Sequence, residues 1–416
     1  MNVMTSPRVE IDAAYVERLI METAAFGAYG ETGVWRTVYS PEWVAANDAY
    51  ARWCEEAGLA VTRDAVGNVW GRLEGSEGGK SIVSGSHMDT QRPGGRYDGT
   101  LGALAGLIAI KALKEQFGQP KRSLEALSLC EEEGSRFPGT NFWGSRGITG
   151  RIAPGDAEAM KGYDDETMAE AMLAIGLDPA RIPEAKRDDI ESFVELHIEQ
   201  GPILEQAGLP VAIVDAITGI RHYDVLLTGV QNHAGGFPMD IRNDPAAGFA
   251  EIASGVINTA HRMGRPAVTT VGRIVPYPNR PAVIPREVRF TVDARHPVPE
   301  KRAEMYAAHE GLMREVAARR GLGISWEHYV DHEPCLSDPD LVKTFQQSAK
   351  EQGVPFMTMP SGAGHDSQQM AAIAKVCMIF VRSKDGRSHT PEEFSSIEDI
   401  VEGIRVLAAG LHKLAY

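Results

Sequence analysis

The sequence is poor in the residues that mark several large protein classes. Its 416 residues include only four cysteines, far apart and without a CxxC pair: Cys54, Cys130, Cys335 and Cys377. A disulfide framework and a cysteine zinc site are therefore both unexpected. The chain has no run of about 18 apolar residues, so no transmembrane helix is expected. Aromatic residues make up only 7%, but a hydrophobic content of 43% still indicates a globular chain.

Basic residues are also in the minority. The 42 Lys and Arg stand against 57 Asp and Glu, which gives a formal net charge of −15. This balance argues against nucleic acid or an anionic membrane as a partner, whereas a local group of Arg and His could still hold a small anionic substrate. Met1–Ile20 has no basic start followed by an apolar segment, so no signal peptide is predicted. With four reduced thiols, the expected location is cytoplasmic.

Two common catalytic motifs are missing as well. No GxxxxGK[ST] phosphate loop occurs, and no GxSxG elbow stands in a suitable context. Phosphate-loop chemistry is therefore not expected, and Ser-His-Asp catalysis ranks below the metal chemistry that the histidines suggest.

The pattern of apolar residues predicts an α/β fold. Helical periodicity covers Val9–Leu59, and strands separated by helices follow. The further predicted elements are a strand pair in Val61–Leu73, a strand in Ser81–Asp89, a helix in Asp98–Leu113, and strands at Leu124–Cys130, Phe193–Ile198 and Val376–Val381. Such alternation predicts a sheet with its working loops at the strand ends.

The texture changes between residues 212 and 328. Strands dominate there, with two helices at Asp244–Met263 and Glu300–Arg320, and Val288–Arg295 alternates apolar and polar residues. We therefore predict a discontinuous catalytic domain of residues 1–211 and 329–416, interrupted by a smaller domain of residues 212–328.

Histidines and acids gather in short glycine-flanked segments at predicted strand ends. Each segment alone could be a solvated turn with a structural histidine, but their joint occurrence favours a metal site. The segments surround His87 and Asp89, Asp98, Glu131–Glu133, His197, His233, His365 and His389. Histidine and carboxylate ligands without cysteine suit zinc, manganese or a similar divalent ion. A carboxylate-bridged pair of such ions activates water and polarises a carbonyl oxygen.

Six motifs in this order resemble the hydantoinase/carbamoylase amidases of the M20 peptidase-like class, from about Tyr50 to the C-terminus. The motifs are GSHMDT, GGRYDG, EEEGSRF, ELHIEQGP, NHAGG and GRSHTPEE. The class includes N-carbamoyl-L-amino-acid hydrolases and the allantoate and ureidoglycolate amidohydrolases. The resemblance implies a catalytic α/β domain with a mixed sheet, interrupted by a smaller α+β, ferredoxin-like domain that serves as lid and in dimerisation. It also implies a homodimer.

The resemblance further implies roles for single residues. The implied ligands of two divalent ions (Zn or Mn, with Co or Ni as substitutes in vitro) are His87, Asp98 as the bridge, Glu133, His197 and His389. Glu132 would be the general base and acid, Asp89 would orient His87, and His233 would stabilise the oxyanion. The residues expected at the substrate are Gln200, Arg295, Asn279 and His365. For Arg295, a salt bridge with Asp293 or Glu287 is the ordinary alternative.

Some positions depart from the family pattern. The asparagine that usually binds substrate is replaced by Ala282, and Asn279 or Arg280 is a possible substitute. Arg387 adds a cation beside the last metal motif. No proposed ligand is missing, so these departures concern the substrate. EEEGSRFP and the Arg295-His296 pair lean towards the allantoate and ureidoglycolate branch.

The sequence thus predicts a dinuclear metal amidohydrolase that cleaves a linear carbamoyl or ureido C–N bond of a small carboxylate. Two alternatives remain open: an N-acyl amino acid or dipeptide hydrolase of the same class, and a non-catalytic protein that binds a small carboxylate.

Overall fold

The computed structural model describes residues 7–416, and these form two compact units. The first unit extends to Asp215 and also includes Ser337–Met359 and His365–Tyr416. The second consists of Ala216–Leu336 and Pro360–Gly364. Residues 1–6 lie outside the described residues. The predictions of a catalytic domain from residue 1 and of no signal peptide in Met1–Ile20 both include these residues. No helix within residues 7–416 is long and apolar enough to cross a bilayer.

Helices and strands alternate along the described chain. The elements up to the end of the first long stretch are α1 (Ala13–Ala24), β1 (Ala28–Tyr29), β2 (Gly33–Val34), α2 (Pro41–Glu56), β3 (Ala60–Arg63), β4 (Val69–Leu73), β5 (Ser81–His87), α3 (Thr100–Phe117), β6 (Leu124–Leu129), α4 (Trp143–Ile148), α5 (Asp156–Ala159), α6 (Met168–Ala174), β7 (Ile190–Ile198), α7 (Ile203–Ala207) and β8 (Val211–Ile217). Next come β9 (Gly219–Thr228), β10 (Asn232–His233), α8 (Pro245–Met263), β11 (Val268–Tyr277), β12 (Val283–Ile284), β13 (Glu287–His296), α9 (Pro299–Arg319), β14 (Gly323–His332) and β15 (Cys335–Leu336). The last elements are α10 (Pro339–Gln352), β16 (Phe356–Ser361), α11 (Ser367–Met370), β17 (Lys375–Val381) and α12 (Ile397–Ala415).

A mixed sheet forms the centre of the first unit, as the sequence predicts. Seven of its nine strands lie in the order β8-β17-β7-β5-β6-β4-β3, and the short strands β15 and β16 both pair with β8. The central strands β17, β7, β5 and β6 are mutually parallel, whereas β8, β4 and β3 pair antiparallel at the two sides. Because β5, β6 and β7 run the same way, their carboxyl ends meet at one edge of the sheet.

The N-terminal prediction needs a correction. The periodicity predicts helix throughout Val9–Leu59, but α1 ends at Ala24 and α2 begins only at Pro41. Between them, β1 and β2 form a short antiparallel hairpin. Gly27 and Gly30 have positive φ values of 85° and 58°, so the backbone turns where the apolar pattern alone suggests a continuous helix.

Helix α3 is buried along most of its length because its sequence is almost entirely apolar on every side. Its glycines allow it to lie close to the sheet: a Cβ atom on Gly106 would be 2.4 Å from the Ser84 carbonyl oxygen. This approach places the loop before α3, which contains Asp98, against the ends of β5 and β7.

The second unit has a four-stranded antiparallel sheet in the order β11-β13-β9-β14. With α8 after β9 and α9 after β13, its chain order is β-α-β-β-α-β, the ferredoxin-like arrangement. Alternation in β13 is as predicted: one face is buried and the other is not, the buried residues being Val288, Phe290, Val292 and Ala294. Asp244 caps α8 by accepting hydrogen bonds from the backbone of Ala246 and Ala247.

Candidate metal centre

Three parallel strands deliver most of the charged side chains of the candidate site. His87 is the last residue of β5, His197 is the last but one of β7, and Glu131–Glu133 begin two positions after the end of β6. The registers of β5 with β6 and of β5 with β7 bring these ends together. The remaining residues come from loops: Asp98 before α3, and His389 before α12.

Asp98 lies between two groups of possible metal ligands. Its Oδ1 is 3.2 Å from His197 Nε2 and 3.8 Å from His87 Nε2. Its Oδ2 is 3.3 Å from His389 Nε2, and His389 Nε2 is 3.5 Å from Glu133 Oε1. Each group, His87–Asp98–His197 and Asp98–Glu133–His389, holds its ligand atoms within 4.8 Å of one another. The two oxygens of one carboxylate thus face two adjacent sites.

Backbone carbonyls fix which nitrogen of each buried histidine is available. His87 Nδ1 is 3.0 Å from the carbonyl oxygen of Asp89, and His197 Nδ1 is 2.9 Å from that of Ile198. A carbonyl can only accept, so Nδ1 carries a proton, and Nε2 is the nitrogen that faces Asp98. Nε2, once it has lost its proton, would therefore be the nitrogen that binds a metal ion. Gly99 makes room for the His87 ring, since a Cβ atom there would lie 2.2 Å from that ring.

Asp89 has a broader role than the sequence suggests. Its carboxylate Oδ1 is 3.5 Å from His87 Nδ1, farther than its own carbonyl oxygen. The two carboxylate oxygens instead accept hydrogen bonds of 3.1 Å each from the backbone N–H groups of Glu132 and Glu133. Asp89 therefore joins the loop after β5 to the acidic loop after β6.

The three consecutive glutamates have different surroundings. Glu131 is buried and accepts a hydrogen bond from Thr140, whereas Glu132 Oε2 lies 3.9 Å from His87 Nε2. Burial, opposed by the His87 charge but reinforced by Glu133, raises the pKa of Glu132 well above its usual value. Burial and the charge of Asp98 raise the pKa of Glu133 to about 7. Carboxylates that crowd in this way call for cationic compensation.

The donor set fits divalent cations. Among residues 7–416, the buried atoms without a hydrogen-bond partner include Glu133 Oε1, next to His389. Burial opposes ionisation of Asp98, but hydrogen bonds from His197 and His389 hold its pKa well below the usual range, so it is a carboxylate. Imidazole nitrogens and carboxylates without cysteine are ligands that suit zinc or manganese.

Gln200 and His365 also lie at this cluster. Gln200 Nε2 donates to Asp98 Oδ2 at 2.9 Å, and the Gln200 backbone has a positive φ of 57°. The buried His365 ring packs edge-on against His197, with 4.7 Å between the ring centroids. Burial, followed by the His197 charge, lowers the pKa of His365 well below its usual value, so this ring is neutral.

Arg36 is a residue of the site that the sequence interpretation missed. Its buried guanidinium donates to the carbonyl oxygens of Met88 (2.8 Å) and Thr23 (2.9 Å) and to Thr100 Oγ1 (2.7 Å). Met88 stands between His87 and Asp89, so this cation holds the first metal loop. No motif marks Arg36 in the sequence; the only signal is a lone Arg within an apolar segment, GVWRTV.

Two acids beside the cluster were also missed. The buried Glu195 accepts hydrogen bonds of 2.7 Å from Ser86 Oγ and from Ser367 Oγ, and one of 3.2 Å from the Ser367 backbone. Glu195 and His365 lie near His197 with a spacing that could hold an ion. The three hydrogen bonds occupy the Glu195 oxygens, which favours a structural role. Burial and the charge of Glu195 raise the pKa of Asp366 to about 8.

His233 belongs to the second unit, where the backbone fixes its tautomer. Nδ1 accepts hydrogen bonds from the N–H groups of Gly235 (3.1 Å) and Gly236 (2.9 Å). Nε2 therefore carries the proton and the exposed ring presents a donor. Strand β10, which ends at His233, pairs with β12, and the Ala234 N–H donates to the Ala282 carbonyl oxygen.

The other residues expected at the substrate also lie in the second unit. Asn279 and Ala282 have positive φ values of 52° and 61°, in the loop between β11 and β12. Arg295 makes the ordinary salt bridge: Nε and Nη2 contact the two oxygens of Asp293 at 2.9 and 2.8 Å. Its Nη1 donates to the Gly362 carbonyl oxygen at 2.9 Å. Three of its five N–H groups are used in these bonds, which leaves two that a carboxylate could accept.

Known proteins match this chain over almost its whole length. Residues 83–413 match the family described as Peptidase family M20/M25/M40. An allantoate amidohydrolase of Escherichia coli (strain K12) is 39% identical over 402 residues, covering 96% of this chain and 98% of the relative. An N-carbamoyl-L-amino-acid amidohydrolase of Pseudomonas sp. (strain NS671) is 37% identical, with 95% and 98% covered.

A solved structure shares the fold. The crystal structure of a hydantoinase/carbamoylase family amidase from Burkholderia multivorans has a TM-score of 0.92 and 33% identity, and 98% of this chain and 99% of that chain are covered. The likeness to relatives extends over 96% of the chain, so it includes residues N-terminal to Tyr50, where the motif resemblance begins.

Proposed function

Because the chain belongs to peptidase family M20/M25/M40, we propose that it hydrolyses a carbamoyl or ureido C–N bond of a small carboxylate substrate. The enzyme is a hydrolase of carbon–nitrogen bonds other than peptide bonds, as its amidohydrolase relatives are. The observation that carries the proposal is the position of Asp98, whose two oxygens face two groups of possible metal ligands.

Two divalent ions, zinc or manganese, would be held there, and cobalt or nickel could replace them in vitro. His87, Asp98 and His197 would hold one ion, and Asp98, Glu133 and His389 the other. When bound, such ions supply Lewis acidity that makes water nucleophilic and polarises a carbonyl oxygen.

Glu132 is the general base and acid of this proposal. Its carboxylate lies beside His87 yet belongs to neither ligand group, and burial raises its pKa, which favours proton uptake. It would take the proton of the attacking water and give it to the departing nitrogen. The reaction R–NH–CO–NH2 + H2O → R–NH2 + CO2 + NH3 then balances, with the carbamate R–NH–COOH as the first product.

The remaining residues would bind and polarise the substrate. Gln200, Arg295 and Asn279 are proposed to hold its carboxylate, and His365 to contact it. The N–H donor at His233 Nε2 suits the developing oxyanion, as the Gly235 and Gly236 hydrogen bonds to Nδ1 support. His87 would keep its orientation through Asp89. A predominantly acidic chain would thus bind a small anion rather than nucleic acid or a membrane.

We also propose that the protein is a cytoplasmic homodimer that associates through the predicted inserted domain, residues 212–328, most of which belongs to the second unit. Strand β11 is an edge strand of its sheet and exposes apolar side chains, among them Val268, Ile274, Val275 and Tyr277. Exposed apolar edge strands favour pairing with another chain. A dimer would have twice the mass of the 45.1 kDa chain in light scattering.

The proposal is tested with metal-loaded protein and a substrate panel read by ammonia release. The panel contains allantoate, ureidoglycolate, N-carbamoyl-L-amino acids, N-carbamoyl-β-alanine and N-acyl amino acids. Ammonia from a ureido or carbamoyl compound is expected. Release of a free acid from N-acyl amino acids without ammonia would instead identify an acylase or dipeptidase of the same family. Substrate binding without any turnover would identify a binding protein.

A further inference from the structure

Glu393 joins two loops that meet at the candidate metal centre. Its Oε1 accepts hydrogen bonds from the backbone N–H groups of Tyr97 (2.9 Å) and Asp98 (3.0 Å). Its Oε2 lies 2.9 Å from Ser388 Oγ. Tyr97 and Asp98 precede α3, whereas Ser388 precedes His389, so one side chain contacts loops that are almost 300 residues apart.

The side chain of Glu393 is buried and tightly packed at this junction of two loops. Glu393 is only 3% exposed. A Cβ atom on Gly95 would lie 2.2 Å from Glu393 Oε1, so this loop can approach the carboxylate only because residue 95 is glycine. The Phe394 ring packs edge-on against Tyr97, with 6.0 Å between centroids, and supports the same junction. Glu393 itself belongs to neither group of possible metal ligands.

Ser388 extends the junction to the bridging carboxylate. Its Oγ is 2.8 Å from Asp98 Oδ2, the oxygen that faces His389. The same oxygen also accepts a hydrogen bond from Gln200. Glu393 therefore acts on Asp98 twice, at its backbone N–H and through Ser388 at its carboxylate, and it holds the residue before His389.

We propose that Glu393 is a positioning residue that keeps Asp98 and His389 at the spacing required for the second metal ion. The inference rests on the proposed function only in assuming that Asp98, Glu133 and His389 bind a metal. His389 depends on such support because its side chain is 49% exposed, whereas those of His87 and His197 are 2% exposed. Little packing otherwise fixes its position.

The role is one of shape and hydrogen bonding, and two substitutions separate this from charge. In Glu393→Gln, the amide oxygen can accept from both backbone N–H groups and the amide nitrogen can donate to Ser388, whose own proton then goes to Asp98. In Glu393→Asp, the charge remains, but the side chain is one methylene shorter and cannot reach both loops. Glu392→Ala, next in the chain and exposed, is the matched control.

The measurement is zinc uptake by the full-length, metal-stripped chain in competition with a chromophoric chelator. We expect Glu393→Asp and Glu393→Ala to bind the second zinc equivalent at least about tenfold more weakly, and the first equivalent, which keeps His87 and His197, to change less. Glu393→Gln and Glu392→Ala should stay within about threefold of the wild type. Unchanged second-site affinity in Glu393→Asp would overturn the inference, and so would a loss in Glu393→Gln with retention in Glu393→Asp.

Ser388→Ala keeps the inference testable if Glu393→Ala does not fold. It removes the hydroxyl that joins Glu393 to Asp98 and should weaken only the second zinc equivalent, by about three- to tenfold. Full affinity in Ser388→Ala together with full affinity in Glu393→Asp would contradict the positioning role. A wild-type chain that binds fewer than two zinc ions would contradict the proposed metal centre itself, which is a different result.

Discussion

At the scale of single residues, the acidic loop after β6 divides its functions between neighbours. Glu133 lies 3.5 Å from His389 in a ligand group, whereas Glu132 lies beside His87 outside both groups. Their backbone N–H groups are fixed by the same Asp89 carboxylate. Adjacent residues can differ in this way because the chain has left the strand here: Glu131 has a positive φ of 46°, and the backbone bends at Glu132 and Glu133.

We therefore expect opposite results from two conservative substitutions. Glu132→Gln should lower turnover by about 10²- to 10⁴-fold, the usual contribution of a general acid–base group, and should keep both metal ions. Glu133→Gln should lose at least one ion. Metal analysis and ammonia release on the same preparations measure both effects. Normal turnover by Glu132→Gln would show that this glutamate is not the base.

Arg36 gives a second prediction at this scale. Its guanidinium is buried and donates to three backbone carbonyls, those of Met88, Thr23 and Phe26, and to Thr100 Oγ1. Arg36→Met leaves those acceptors unpaired and should reduce the free energy of unfolding by about 3 kcal/mol. Urea unfolding of metal-free protein measures it. Arg18→Met, at a half-exposed helical position, is the control and should change little. Equal stability of the two variants would contradict the role of Arg36.

At the scale of elements, the site depends on how closely α3 lies to the sheet. Thirteen of its residues are buried, and Gly106 faces the Ser84 carbonyl oxygen. In contrast, a Cβ atom on Gly311 of α9 would meet nothing within 4 Å. The two positions are both helical glycines but have opposite surroundings.

Replacement of glycine by alanine should therefore change the free energy of unfolding in opposite directions at these two positions. Gly106→Ala should destabilise the protein by about 1–3 kcal/mol, since the methyl group pushes α3 away from β5. Gly311→Ala should stabilise it by about 0.5–1 kcal/mol, because alanine favours the helix. Chemical denaturation at neutral pH compares them. A stabilising Gly106→Ala would mean that the helix can move away from the sheet without cost.

At the scale of the whole molecule, stability at acidic pH depends in part on a histidine far from the metal centre in sequence. His309 of α9 is fully buried, and burial lowers its pKa from 6.5 to about 4. Below pH 6.5 this histidine is protonated in the unfolded chain, whereas in the folded chain it is protonated only below about pH 4. Above pH 6.5 neither state is protonated and the buried histidine imposes no cost, whereas the free energy of unfolding decreases as the pH falls from 6.5 to about 4.

Replacement of this histidine should remove that part of the pH dependence. Between pH 7 and pH 4 the wild type should lose about 3 kcal/mol more stability than His309→Gln, which cannot titrate. Unfolding free energies of both proteins over this range measure the difference. His261→Gln, at a helix end of the same unit, is a control for loss of a histidine. Parallel pH profiles of wild type and His309→Gln would contradict the prediction.

Local sequence patterns are sufficient to predict the fold class, most strands and the types of residue at the candidate metal centre. Apolar alternation is local, so β13 and its buried face could be predicted, and so could the strand ends that carry His87 and His197. The apolar spacing wrongly predicts a helix where β1 and β2 form a hairpin, because this spacing carries no information about the turns at Gly27 and Gly30.

The residues that support the proposed metal ligands become visible only in the folded structure. Arg36, Glu393 and Glu195 act across long sequence separations through backbone and hydroxyl groups, and such contacts leave no periodic or motif signal along the chain. Histidine tautomers are a further example, since His87, His197 and His233 look alike in sequence. In the first two, Nδ1 carries a proton and donates it to a backbone carbonyl oxygen. In the third, Nδ1 accepts from glycine N–H groups, so the proton is on Nε2. A sequence specifies chemical groups, whereas the folded backbone specifies which partner each group meets.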